Sequence, residues 1–163
     1  MRWIRHLFLD QFALMRAFPH ATLDAIGRTV AEQEKRHRGE LRVAIEGGLP
    51  LQALVAGRTA RARALEHFAR LRVWDTEDNA GVLVYLLLAD RRVEIVADRG
   101  IHARVGATAW ETICGAMQRE FAAGRFEAGM LGGLASISDL LAQHFPAAPD
   151  ANPNELPDAP LLL

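Results

Sequence analysis

The stretch that most constrains this chain is Val82-Leu83-Val84-Tyr85-Leu86-Leu87-Leu88-Ala89, apolar at every other position and at every position between. A strand with one face in water alternates apolar and polar side chains. A run with no polar face belongs to a strand covered on both sides, in the middle of a sheet flanked by helices. Asp90 and Arg91 then read as a tight turn, and residues 93–98 as an antiparallel partner. Pairing Ala89 with Arg92 puts residue 83 opposite residue 98. Asp98 then lies at the sheet edge from which the loop before the central strand emerges.

The rest of the chain supplies the layers such a strand needs. Thr22 is a candidate cap for a helix burying Leu23, Ile26 and Val30 ahead of the charged run to Arg38 and Gly39. Over 40–46, Leu41, Val43 and Ile45 share one face and Arg42, Ala44 and Glu46 the other, the pattern of a half-covered strand. Ala60, Ala64, Leu65, Phe68 and Leu71 form a helical stripe that leaves Arg61, Arg63, Glu66 and Arg70 for solvent, with Thr59 as its cap. After Gly100, read as opening a loop, Trp110, Ile113, Met117 and Phe121 mark one helix. Met130, Leu134, Ile137 and Leu141 mark another, in which Gly129 and Gly133 permit close backbone approach. The expected architecture is α/β: a three-layer α/β/α sandwich, Rossmann-like, with a small mixed central sheet.

At 163 residues, half of them hydrophobic, the chain has material for one domain. Residues 1–18 form an N-terminal amphipathic helix through Trp3, Ile4, Leu7, Phe8, Phe12, Leu14, Met15 and Phe18. Residues 19–146 make the globular domain. Residues 147–163 make a proline-rich flexible tail that cannot supply a periodic core face, and residues 161–163 carry no assigned role. With few cations and Asp10 on its polar face, the N-terminal helix favours packing on its own domain, on a protein partner or on a second copy over lying on a membrane. A net charge of -1 provides no field to attract nucleic acid. No segment reaches the length of a transmembrane helix, and a cytoplasmic location is expected. Cys114 falls among Ile113, Met117 and Phe121 as a small buried thiol. The six histidines are scattered without ligand spacing.

The densest polar feature is Trp74-Asp75-Thr76-Glu77-Asp78-Asn79-Ala80-Gly81, just before the central strand. With Asp98 brought alongside by the hairpin, Asp75, Glu77, Asp78, Asn79 and Asp98 form a candidate metal site. Hard oxygen donors without cysteine or paired histidine suit Ca²⁺, or Mg²⁺, better than zinc. The competing reading has Asp75 and Thr76 capping a turn, Asn79-Ala80-Gly81 making the bend and Asp78 facing water. Arg99 and Gly100 beside Asp98 would add a fork donor and close backbone approach for a phosphate. The chain lacks GxSxG, HExxH, a phosphate-binding GxxxxGK[ST] loop and CxxC.

Trp74-Asp75-Thr76 leading to Asn79-Ala80-Gly81-Val82-Leu83, then residues 93–100, then residues 121–129, occur in the order of a known family: the chain resembles the TPM domain, the phosphatase-like domain of thylakoid lumen and photosystem II repair proteins. The likeness covers roughly residues 22–146. It points to the short soluble bacterial branch, without an export signal or C-terminal anchor, and the tail Asn154-Glu155-Leu156-Pro157-Asp158 fits that branch. The resemblance implies a sheet between helices, calcium at the acidic loops through Asp75, Asp78, Asn79 and Asp98 with Glu77 a weaker member, and acid phosphatase activity of the thylakoid kind. Two functions follow as expectations. One is a cation-binding domain with weak metal-dependent phosphomonoesterase activity and no assignable covalent nucleophile. The other is a non-catalytic module that contacts a protein through its N-terminal helix or its tail.

Overall fold

The computed structural model describes His6, residues 11–148 and residues 153–163. Helices α1 (Gln11–Ala17) and α2 (His20–Glu34) lead into strand β1 (Glu40–Glu46). Helices α3 (Leu51–Val55) and α4 (Ala60–Arg70) carry the chain over to β2 (Gly81–Leu87), and a 3-10 turn, Leu88–Asp90, leads into β3 (Arg92–Ala97). Then come α5 (Arg99–Val105), α6 (Ala107–Ala122), α7 (Phe126–His144) and a short strand β4 (Leu161–Leu162). The sheet order is β3-β2-β1-β4. β1 pairs in parallel with β2 and with β4, and β2 pairs antiparallel with β3, which makes the sheet mixed. A parallel pair needs a crossover, and α3 with α4 supply it.

β2 is buried at every position, as its unbroken apolar run demands. Val82, Val84 and Leu86 join Leu41, Val43 and Ile45 beneath α2, α6 and α7, whose contribution includes Ile26, Met117, Phe121 and Leu134. Leu83, Tyr85 and Leu87 join Ala44 and Val96 against Leu54 of α3 and Ala64 of α4. Each fully buried aliphatic side chain contributes about 1.5–3 kcal/mol relative to exposure. One strand therefore anchors both helical layers, and the expected three-layer architecture holds. The close approach expected at Gly129 and Gly133 is present: a Cβ there would fall 2.7 Å from Phe121 and 2.3 Å from the Met117 sulfur. Among the described residues no helix is long and apolar enough to cross a membrane.

Several local expectations are corrected. The hairpin pairs Leu87 with Arg92 and Leu83 with Val96, two residues off the expected register. Leu88 and Ala89 leave the strand for a 3-10 turn closed by Arg91 in the left-handed region (φ 49°), which lengthens the connection. β1 is buried at every position, not half-covered, because α4 and the C-terminal segment cover its polar face. α2 begins at His20 after Pro19, and Thr22, instead of capping it, is buried with its hydroxyl donating to Glu127. Residues 99–105, expected as loop, form α5.

The segment given no role at 161–163 belongs to the sheet. Ala44 and Ile45 pair with Leu161 and Leu162, Leu163 N–H donates to Ile45 O at 2.9 Å, and Leu156 is buried in the second core. A proline-rich chain has no periodic face, yet single side chains and edge hydrogen bonds are enough to dock it. Half of the expected N-terminal helix, residues 1–5 and 7–10, lies outside the described residues. Within them, Leu14 and Phe18 are buried in the first core and Phe12 is exposed.

Candidate functional site

The start of β2 and the end of β3 meet at one end of the sheet, where Asp98 N–H donates to Gly81 O at 2.8 Å. Asp98 is the N-cap of α5, its Oδ1 accepting from Arg99 N–H at 2.7 Å. The cap leaves the second oxygen over. Oδ2 is buried and has no hydrogen-bond partner, in a residue only 6% exposed. A buried carboxylate oxygen in that condition is costly unless a cation or donor meets it.

The acidic loop folds back onto the same helix. Thr76 Oγ1 accepts from Ala80 N–H at 3.2 Å, and Asn79 sits in the left-handed region (φ 51°), which asparagine tolerates. Asn79 O accepts from Ile101 N–H at 3.3 Å. At Gly100 a Cβ would lie 2.5 Å from Asn79 O and 2.9 Å from Asp78 O. Only glycine lets these two carbonyls settle on the first turn of α5, next to Asp98.

Of the residues expected at the site, Asp78 and Asn79 reach the first turn of α5 through their backbone carbonyls, against Gly100, two residues beyond Asp98. Asp78 also binds Arg38, Oδ1 to Nη1, at 3.1 Å. Asp75 is exposed and held by Arg72 at 2.5 Å, and Glu77 is exposed with its N–H donating to Glu155 at 3.1 Å. Among the described residues no three acidic, histidine or cysteine side chains are grouped to hold a metal by themselves. Two clefts flank the junction. One of about 410 Å³ is lined by Asp78, Asn79, Arg99, Gly100, Arg104 and Phe145. The other, about 720 Å³, runs along β3 between α4 and α6, with Asp98, Arg99, His102 and Trp110 in its wall.

Arg99 lines both clefts and is exposed, within reach of an anion in either. Arg104 is held in place, donating to His144 O at 2.7 Å with its guanidinium 4.4 Å from the Phe145 ring centre. Trp110 was legible only as one member of a helical stripe, yet its indole Nε1 is buried without a partner in the wall of the larger cleft. Cys114, partly buried on the same wall, has its thiol pushed up to about 11 by burial. It is therefore an inert thiol at neutral pH.

Comparison with family models matches residues 15–140 to the TPM domain. The chain belongs to the TPM domain family. Among solved structures, this TPM domain is similar to the BA42 protein of the psychrophilic bacterium Bizionia argentinensis, at 29% identity and a TM-score of 0.77, over 88% of this chain and 93% of that one. It also shares its fold with the N-terminal domain of a P. gingivalis protein, at 18% identity and a TM-score of 0.62, over 79% of this chain and 81% of that domain. No curated protein matches. The TPM model covers the acidic loop, β3, Asp98 and all of α5 and α6.

Proposed function

We propose that this TPM domain binds a divalent cation, calcium before magnesium, at Asp98 and the adjoining Asp78 and Asn79. The observation that carries the reading is the Asp98 carboxylate, buried with one oxygen unpartnered at the start of the helix onto which the acidic loop folds. Carboxylate and amide oxygens in an irregular loop suit the flexible coordination of calcium better than the octahedron magnesium demands. Glu77, exposed on the same loop, adds negative charge that raises the local cation concentration, whereas the charge of Asp75 is offset by Arg72.

A cation held there would polarise a phosphoryl oxygen, the chemistry a weak metal-dependent phosphomonoesterase needs. Arg99, on the rim of both clefts, offers a guanidinium fork to the phosphate. No side chain is assigned as a covalent nucleophile.

The test is a calcium and magnesium titration of chelator-stripped protein followed by amide NMR. Saturable shifts confined to Thr76, Asp78, Asn79, Arg99 and Gly100 are expected. Asp98→Asn keeps an oxygen to cap α5 and loses the charge, so it should fold and bind at least about tenfold more weakly, each tenfold being about 1.4 kcal/mol. Hydrolysis of a model phosphomonoester should fall with it. Absence of shifts at millimolar calcium would remove the cation reading and leave the interaction module in its place.

A further inference from the structure

The smaller of the two clefts beside the acidic loop holds two guanidinium groups and one carboxylate. Arg99 and Arg104, from the first and last turns of α5, both line it, and Asp78 is the acidic side chain in its wall. Asp78 is already engaged, with Arg38 Nη1 at 3.1 Å from its Oδ1. Among the described residues Arg99 and Arg104 form no ion pair. Of the two clefts, Asp98 lines only the larger. In a chain of net charge -1 this cleft is therefore a local excess of positive charge, and two uncompensated guanidinium groups in one cleft favour an anion.

What separates this pair from ordinary surface arginines is that one of them is set in place before any ligand arrives. Arg104 Nη1 donates to His144 O at 2.7 Å, and its guanidinium carbon stands 4.4 Å from the Phe145 ring centre. Phe145 is 4% exposed and fixed in turn, its N–H donating to Leu141 O at 2.7 Å and its C=O accepting from Arg38 N–H at 2.9 Å. Arg38, which holds Asp78, also donates from Nε to Pro146 O at 3.3 Å. The loop side is equally determined, since the Asp78 and Asn79 carbonyls rest on Gly100 at distances that exclude a Cβ. Fixing an arginine side chain costs about 1.5–2 kcal/mol of rotamer freedom, and for Arg104 the fold has already met much of that cost. The ring takes one face of the guanidinium and the carbonyl takes one N–H, which leaves the other donors of a rigid planar fork for a ligand.

Size and acceptor number narrow the anion. The cleft, about 410 Å³, lies toward the lower end of the range for small-molecule sites, about 300–1,000 Å³. A carboxylate has two oxygens, enough for one fork, whereas a phosphoryl group has three strong acceptors to divide between two guanidinium groups. We propose that this cleft is a phosphoryl-binding site, in which Arg99 and the pre-set Arg104 together hold the terminal oxygens of a small phosphomonoester, or of the free phosphate its hydrolysis leaves. Phe145 is the positioning residue for Arg104. This seat deepens the phosphomonoesterase reading, and the choice of phosphate among anions rests on that reading, whereas the positive charge of the cleft needs no cation.

The full chain, labelled with ¹⁵N and kept in chelator without added metal, is titrated at constant ionic strength with inorganic phosphate and, separately, with methyl phosphate. Saturable shifts are expected at the amides of Arg99 and Gly100 and at the side-chain Nε–H signals of Arg99 and Arg104, while Arg119, exposed on α6, shifts little. Arg104→Gln should weaken binding at least about tenfold, the loss of a charge-assisted contact. Phe145→Leu should weaken it about two- to fivefold through the lost cation–π contact, and should have no further effect once Arg104 is replaced, a coupling that a merely structural role of the ring would not give. Saturable binding of methyl phosphate marks an ester site, and saturable binding of inorganic phosphate alone marks a site for the free ion. Shifts that never saturate or that spread equally to Arg119, or an affinity untouched by Arg104→Gln, would overturn the phosphoryl site. With no metal present, the result is separate from the calcium titration. Loop shifts with calcium but none at Arg104 with either phosphate would sink the phosphoryl site and leave the cation reading standing, and the reverse pattern would sink the cation reading alone.

Discussion

Glu46, the last residue of β1, is 3% exposed, and its charge is tolerable because Arg63 reaches it from α4. Arg63 Nη2 lies 2.6 Å from Oε1 and Nε 3.2 Å from Oε2, a bidentate grip. The Tyr85 hydroxyl donates to Oε2, and the His67 ring stacks on Tyr85 at 5.7 Å between centroids. Burial lowers the His67 pKa first of all, so the ring is neutral and cannot replace Arg63 as counter-charge. Arg63→Met should leave an uncompensated buried carboxylate and cost about 3–5 kcal/mol, read as a lower urea midpoint. An unchanged midpoint would mean that Tyr85 satisfies Glu46 unaided. Periodicity assigned Arg63 to solvent, and correctly kept it off the apolar stripe. It could not show that Glu46 stands opposite, since the two residues meet only across the layers.

At the scale of elements, α3 and α5 were the helices missed. α3 is only five residues long, so although Leu51, Leu54 and Val55 stand at helical spacing, the run is too short for its periodicity to be read. α5 places glycine in its first turn, where propensity argues against a helix. A signal for α5 was present in Asp98, a strong N-cap residue. The structure explains the glycine: the helix starts under the Asp78 and Asn79 carbonyls and has no room for a Cβ. In Gly100→Ala two effects compete. Helix propensity favours alanine by about 1 kcal/mol, whereas a clash with backbone at 2.5 Å cannot be relieved by a rotamer change and costs about 1–3 kcal/mol. The expected outcome is a net loss of thermal stability, with the proposed calcium binding weakened because the loop is pushed off the first turn of α5. A more stable variant with intact binding would show that the loop is not tied to the site through this contact.

For the whole molecule, the decisive contact is that of the C-terminal segment with β1. The edge of a sheet presents unpaired backbone groups and invites another strand, and here β4 and the hydrogen bond from Leu163 cover part of that edge. A chain lacking residues 161–163 should keep its fold, since both cores remain, but should self-associate as concentration rises. Sedimentation equilibrium checks this. A monomer at all concentrations would mean that residues 153–160 protect the edge alone.

The sequence by itself determined the layers: an all-apolar strand needs cover on both faces, helical stripes supply it, and the acidic loop, hairpin and Asp98 are close enough along the chain to converge. The hairpin register depended on a left-handed Arg91, a conformation its side chain does not announce. Which loop acids come together, the burial of Glu34, Glu40 and Glu46, and the docking of the tail were decided only by tertiary structure. Each depends on partners tens of residues apart, and burial, the quantity that sets their electrostatics, belongs to the folded chain and to no single segment of it.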